Sequence, residues 1–243
     1  MQDVLKTFKC SVCGAMLTYD KENDKYICEF CLSEYPNPRV KKVEDKVQLN
    51  HIRNSVFKVE SDKSSATCFL VSQDKNYLYF VTNKHVANVK NFILIKSFDE
   101  KNTVRCDMRK IIFSKEYDMA ILCCKKPSDS SYFIPIQLGN IDSLTKDKEG
   151  MKIYQYANKR GKGLSFEEGL IGNFINYKIM TTLVTYPGTS GSPILDRYGN
   201  VIGLHVGTDF DIPYAIHGKY IKEFLKANKI SFVEDKDVHY EGL

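Results

Sequence analysis

The segment Pro187-Gly188-Thr189-Ser190-Gly191-Ser192-Pro193 lies between two apolar runs, and its two glycines permit a sharp turn that exposes a hydroxyl beside amide groups. A serine hydroxyl does not attack a carbonyl unaided, so a turn of this kind does nucleophilic chemistry only with a base supplied from elsewhere in the chain. His85 is the best-placed imidazole, following the apolar run Tyr79-Phe80-Val81-Thr82 after a short polar turn, Asn83-Lys84. Further on, Tyr117-Asp118-Met119-Ala120-Ile121-Leu122 sets one carboxylate at the mouth of a strongly apolar run. Taken singly, these are also what ordinary turns look like. Their combination, with the imidazole and carboxylate in one half of the body and the hydroxyl in the other, is what points to a hydrolytic triad.

A second constellation is separate from the first. Cys10-Ser11-Val12-Cys13-Gly14 and Cys28-Glu29-Phe30-Cys31 form C-x2-C twice with fourteen residues between. Four thiolates from two knuckles can surround one Zn²⁺ tetrahedrally, with Gly14 letting the backbone turn toward the sulfurs. With all four positions filled by cysteine, such an ion is structural and leaves no open place for catalysis. The alternatives are a redox dithiol and a disulfide pair; two C-x-x-C units without a βαβ context favour zinc. Residues 16–19 and 25–27 flank a polar stretch and read as a hairpin, and so small a segment needs the metal for much of its folding free energy.

The elements that position the triad candidates are strands. From about Asn50 onward, apolar runs at residues 55–59, 66–72, 77–82, 92–95, 104–113, 119–124, 153–156, 169–177, 179–184 and 201–206 are broken by polar turns, which predicts an all-β barrel or sandwich. Helical spacing occurs in residues 218–227, where Ile221, Phe224 and Leu225 share a face, and this predicts a closing C-terminal helix. Pro36-Asn37-Pro38-Arg39 and the charged residues after it read as an exposed connection. The expected organisation is a zinc ribbon over residues 1–40, a linker at 41–50, the barrel domain over 51–232 and a tail at 233–243.

These motifs carry a family resemblance over residues 55–228. The Ser190 segment resembles the G-x-S-G-x-P motif of chymotrypsin-fold serine proteases, and Thr82-Asn83-Lys84-His85-Val86 resembles the His segment of bacterial glutamyl endopeptidases and high-temperature-requirement proteases. Asp118-Met119-Ala120-Ile121-Leu122 is similar to the motif carrying the third triad member. The resemblance implies a chymotrypsin-like double β-barrel with His85, Asp118 and Ser190 as catalytic triad, and the N–H groups of Gly188 and Ser190 as oxyanion hole. It further implies an S1 pocket lined by Thr185 and His205 that accepts Glu or Gln, whereas Val184 stands where trypsin-like enzymes hold an acidic floor. A pocket built to donate hydrogen bonds rejects apolar P1 residues, whose presence would leave its donors unpaired. In secreted glutamyl endopeptidases a free N-terminal amine helps bind the P1 carboxylate, and the extension here bears on the choice between Glu and Gln. Where many relatives have glycine this chain has Cys68, expected near the cleft, where thiol reagents would inhibit by crowding.

Composition limits the other readings. With 43% hydrophobic and 27% charged residues the chain is not of disordered type. Basic and acidic residues cancel over residues 1–50, and the net +5 is spread over the rest without a phosphate-neutralising block, so nucleic acid is unsupported as a partner. The N-terminus lacks the apolar core of a signal peptide, no run approaches a membrane span, and the paired cysteines suit a reducing compartment, so the expected setting is cytoplasmic with no membrane partner. The expected partner is a polypeptide substrate, with a protein partner as the ribbon's natural use. Two alternatives to a serine endopeptidase stand: a catalytically silent protease-fold binding module, and a zinc-ribbon adaptor for protein or nucleic acid.

Overall fold

Strands apolar on both faces must be buried on both faces, and the body of this chain shows how. The computed structural model describes residues 10, 12–13, 15–20, 25–36, 51–238 and 240, in two units, Met1–Glu44 and Asp45–Leu243. The expected linker at 41–50 and Gly14 lie outside the described residues.

In the larger unit, β4 (Val56–Ser61), β5 (Ser65–Gln73), β6 (Tyr77–Thr82), β7 (Ile93–Lys96), β8 (Thr103–Arg105), β9 (Ile112–Phe113) and β10 (Ala120–Lys125) form one antiparallel sheet in the order β8-β7-β4-β5-β6-β10-β9. A bridge between Cys106 and Cys124 draws its two ends toward one another, making a half-barrel. The second sheet closes fully: β11 (Lys152–Asn158), β12 (Leu164–Ile175), β13 (Lys178–Thr181), β14 (Pro193–Leu195), β15 (Val201–Asp209) and β16 (Ile212–His217) form a barrel in the order β11-β12-β13-β16-β15-β14. The unit also has helical residues at 51–53, a single turn α1 (Lys84–Ala87) and α2 (Gly218–Ala227). The predicted all-β double barrel with a closing helix is what the chain folds into.

Side-chain alternation sends neighbouring residues of the same strand into different cores. Cys68 and Leu70 of β5, Phe80 of β6, and Leu122 and Cys124 of β10 fill the half-barrel, beside Phe57 and Phe133. The residues between them, Phe69, Val71, Val81, Ile121 and Cys123, join Ile153, Ile194, Leu204 and Ile216 in the core shared with the closed barrel. The seam between barrels is therefore apolar and continuous, and loops at its edge from either barrel come together.

The structure departs from the predicted elements in several places. Residues 104–113 are not one strand: Asp107 accepts a bond from the Arg109 amide at 3.1 Å and starts a 3₁₀ turn, Met108–Lys110, between β8 and β9. β12 begins earlier than expected and β13 ends earlier. β14 was hidden because its three residues follow directly on the Ser190 turn. Cys68, next to the Thr67 that bonds the serine turn, has its side chain fully buried inside the half-barrel, and burial drives its thiol pKa well up, which counts against the expected inhibition by thiol reagents. Among the described residues beyond 232, Val233 O accepts from Leu138 N–H at 2.9 Å and Tyr240 Oη donates to buried Asp196 at 3.0 Å.

The smaller unit is a three-stranded antiparallel sheet, β1 (Leu17–Asp20), β2 (Lys25–Cys28) and β3 (Glu34–Pro36). β1 and β2 are the predicted hairpin, and β3 is an addition. No helix among the described residues is long and apolar enough to cross a membrane.

Candidate active site

Strand register places the imidazole beside the carboxylate. β10 pairs with β6 with Ala120 opposite Thr82, so Asp118, two residues before, comes level with the residues just past Thr82. Those residues turn into α1, and His85 on that turn meets Asp118: its Nδ1 lies 2.6 Å from Oδ2 and its backbone N–H donates to Oδ1 at 2.9 Å. Buried Asn83 adds a bond from its Nδ2 to the Asp118 carbonyl at 3.0 Å. Burial of the Asp118 carboxyl raises its pKa, but the His85 ring and the His85 and Lys84 amides outweigh that and hold it below the ordinary carboxylate value. The ring itself is about half exposed, open to an incoming substrate.

Ser190 belongs to the other barrel, on the turn preceding β14, and the turn is tied to the half-barrel. Thr67 N–H donates to Ser190 O at 3.0 Å, Thr67 Oγ1 donates to Gly188 O at 2.8 Å, and Asn158 N–H donates to Thr67 Oγ1 at 3.0 Å. Gly191 packs so closely on Thr67 O and Thr82 Oγ1 that a Cβ would lie 2.1 and 2.2 Å from them. Thr82 is three residues before His85 in the chain, and no hydrogen bond joins His85 and Ser190 among the described residues. Gly188 has φ +96° and its Cβ would meet Asn158 O at 2.0 Å, so glycine is required there. Pro187 O is engaged by the Arg160 amide at 2.6 Å, while the N–H groups of Gly188 and Ser190 donate to no other group among the described residues. The Ser190 hydroxyl donates to Val206 O at 3.1 Å.

Thr185 and His205 also meet. His205 is fully buried on β15, its N–H donating to Ser192 O at 2.9 Å and its carbonyl accepting from Gly191 N at 3.0 Å, so it is locked to the serine turn. Its Nε2 is 3.3 Å from Thr185 Oγ1. Burial pushes the ring's pKa down to about 4, so it is neutral at physiological pH. Nδ1 is buried without a partner; because an orphaned acceptor costs less than an orphaned N–H, the proton belongs on Nε2, the atom facing Thr185. Val184 is about half exposed beside them.

The sequence reading gives Thr67 and Asn158 no role and marks Asn83 only as part of the His85 segment. Thr67 and Asn158 earn their importance by bonding between segments distant in the chain, and Asn83 by bonding the Asp118 carbonyl within its own sheet.

In the smaller unit the Sγ atoms of Cys10, Cys13, Cys28 and Cys31 lie within 4.8 Å of one another, with Cys10–Cys31 and Cys13–Cys28 at 3.4 Å. A tetrahedral ion bound at about 2.3 Å to each sulfur sets its ligands about 3.8 Å apart, so this donor set fits a metal ion. None of the eight cysteines, all of them described residues, is in a disulfide.

The match that decides the family covers residues 66–204 and is to the trypsin-like peptidase domain. The chain belongs to that family. This trypsin-like peptidase is 24% identical over 194 residues to Protease Do-like 1, chloroplastic, of Arabidopsis thaliana, covering 68% of this chain and 42% of that protein. It is 27% identical over 195 residues to the pro-apoptotic serine protease NMA111 of Ajellomyces capsulatus, covering 70% of this chain and 18% of the relative. The chain thus spans less than half the length of these relatives. Among solved structures, the Rv3671c protease of M. tuberculosis H37Rv, a mutant in its inactive form, superposes with TM-score 0.61 at 17% identity over 75% of this chain and 90% of that one. The serine endoprotease from Yersinia pestis superposes at 0.59 and 18% identity, over 74% and 65%. At such identities the likeness is one of fold.

Proposed function

We propose that this trypsin-like peptidase is a serine endopeptidase in which Ser190 is the nucleophile, His85 the general base and Asp118 the group that orients the imidazole. The observation that carries the reading is the His85–Asp118 pair, bonded through both ring and backbone at 2.6 and 2.9 Å. A carboxylate on Nδ1 leaves Nε2 as the basic nitrogen, facing the cleft. The Ser190 hydroxyl rests on Val206 O, and rotation about its χ1 releases it to give its proton to His85 as it attacks the substrate carbonyl. The oxygen of the resulting tetrahedral intermediate is met by the amides of Gly188 and Ser190, a contribution of about 3 to 4 kcal/mol for one donor. His85 then protonates the leaving amine, and water hydrolyses the acyl-enzyme by the same path reversed.

Thr185 and His205 would line S1. A neutral imidazole bearing its proton on Nε2 donates to a side-chain carbonyl without offering a positive charge, which suits Gln and tolerates Glu. The four cysteines of the smaller unit would hold one structural Zn²⁺, which crosslinks the two knuckles when bound. Exposed Val12, Phe30 and Leu32 around those knuckles support a protein partner for that unit.

Incubation with a fluorophosphonate probe and a peptide library tests the proposal. Labelling and cleavage that are present in the wild type and absent in Ser190→Ala are expected, with Gln or Glu enriched at the new C-termini. Asp118→Asn should lower kcat by on the order of 10³ to 10⁴. The second reading, a silent binding module, draws on the Ser190–Val206 bond, and a wild type that the probe never labels would select it.

A further inference from the structure

The serine turn is held on one flank by β15, through His205, and on the other by the turn that follows β11, through Asn158 O and the Arg160 amide. On this second flank lies a cavity of about 510 Å³ with Leu164 in its lining, Tyr186 as a wall and Lys159, Arg160 and Lys162 around it. The Arg160 guanidinium sits 4.8 Å from the Tyr186 ring centroid and the Lys159 ammonium 5.6 Å from it. Glu167 neutralises Lys159 at 2.5 Å. Among the described residues, neither Arg160 nor Lys162 has an ion-pair partner. Arg160 itself adopts φ 55°, next to Gly161 at 69° and near Gly163 at 106°. A left-handed arginine is in a conformation that a glycine would take at less cost, and here it directs a cation over the aromatic wall.

Building on the proposed function, we infer that this basic cavity is a subsite for an acidic side chain, Asp or Glu, of the polypeptide substrate on the leaving-group side of the scissile bond. The P1 side chain enters toward Thr185 and His205, and the carbonyl sits at Gly188. The chain beyond the scissile bond then runs past Gly188 on the flank opposite β15, where the 158–163 turn stands. A carboxylate arriving there meets two uncompensated cations, one of them a planar guanidinium able to bind it through two N–H groups.

The test uses the full chain and peptides with one common P4–P1 sequence and Ala, Asp or Glu at P1′, P2′ and P3′ in turn. A P4–P1 aminocoumarin amide without leaving-side residues reads the proposed triad independently. The expected result is a rise in kcat/KM of about fivefold for an acidic residue over alanine at one of these positions, carried by KM. That ratio should fall toward one in about 0.5 M salt, in Lys162→Gln in part, and in Arg160→Gln/Lys162→Gln almost completely. Equal kcat/KM for acidic and alanine peptides, with the aminocoumarin amide hydrolysed, would overturn the subsite and leave the protease reading standing. So would an acidic advantage that survives both salt and the double variant. A protein that hydrolyses none of these substrates overturns the proposed function, and the subsite with it.

Discussion

At the scale of single residues, His205 makes the most specific claim about pH. Its pKa is lowered from 6.5 to about 4 by burial, so between those values the unfolded chain binds more protons than the folded one. Stability from this residue is therefore complete above about pH 6.5 and is lost as pH falls toward about 4, where the loss levels off. Across that window the wild type should lose about 3 kcal/mol relative to His205→Gln. Chemical denaturation of both proteins from pH 7 to pH 4 measures this difference, and parallel curves would contradict it. Thr185→Val is a gentler probe: with Nε2 still in place, and under the proposed S1 assignment, Gln peptides should lose about tenfold in kcat/KM, reflecting one lost polar contact in the proposed pocket.

At the scale of elements, the serine turn is positioned by close approach more than by burial of its own side chains. Gly188→Ala and Gly191→Ala each put a methyl within about van der Waals overlap of a carbonyl oxygen at positive φ, the former on Asn158 and the latter on Thr67. Each is expected to cost 2 kcal/mol or more, by about the size typical of strained backbone positions, and to be seen as a lower midpoint in denaturant unfolding. The C-terminal segment is a different kind of element, a strap in which Val238 and Tyr240 join the apolar core and Tyr240 adds a polar contact. Asp196 accepts from the Tyr198 and Asn200 amides and from Tyr240 Oη, and Gly139 clears room for that phenol, since a Cβ there would lie 2.1 Å from it. Tyr240→Phe should lower stability by about 1 to 2 kcal/mol while kcat/KM stays at the wild-type value, because the strap does not reach the cleft residues.

At the scale of the whole molecule, two units rest on different physics. The larger one has two cores that share strands β5, β6 and β10, so unfolding either barrel exposes a face of the other and the pair should melt together. The smaller one has a three-stranded sheet and a cysteine cluster, too little apolar surface for independent stability. Adding a strong zinc chelator should therefore abolish amide protection in β1 to β3 while leaving the thermal midpoint of the larger unit within a degree or two, by about the margin of independent domains. Hydrogen exchange with and without chelator checks both halves of that expectation, and zinc content by mass spectrometry checks the identity of the ion.

What could be read from the residues alone was whatever is encoded locally. Runs of β-branched and aromatic residues determined strands, 3.6-residue spacing determined the C-terminal helix, and two C-x2-C units determined that four thiols would face one point. The Ser190 turn, the His85 segment and the Asp118 segment announced themselves because each needs particular residues within a few positions. The resemblance set Cys68 near the cleft but could not say that its side chain faces the half-barrel core, because alternation along a strand does not by itself say which face is inward. Thr67 and Asn158 were invisible because their work is done on segments scores of residues away, Thr67 on the Gly188 and Ser190 carbonyls and Asn158 on the Thr67 hydroxyl. Only the tertiary structure decided that the Ser190 hydroxyl rests on Val206, that Val233 and Tyr240 are tied back to Leu138 and Asp196 of the larger unit, and that Arg160 and Lys162, without an ion-pair partner among the described residues, line a cavity with Tyr186. Each of these depends on which surfaces two barrels press together, and that is set by the packing of all their side chains at once.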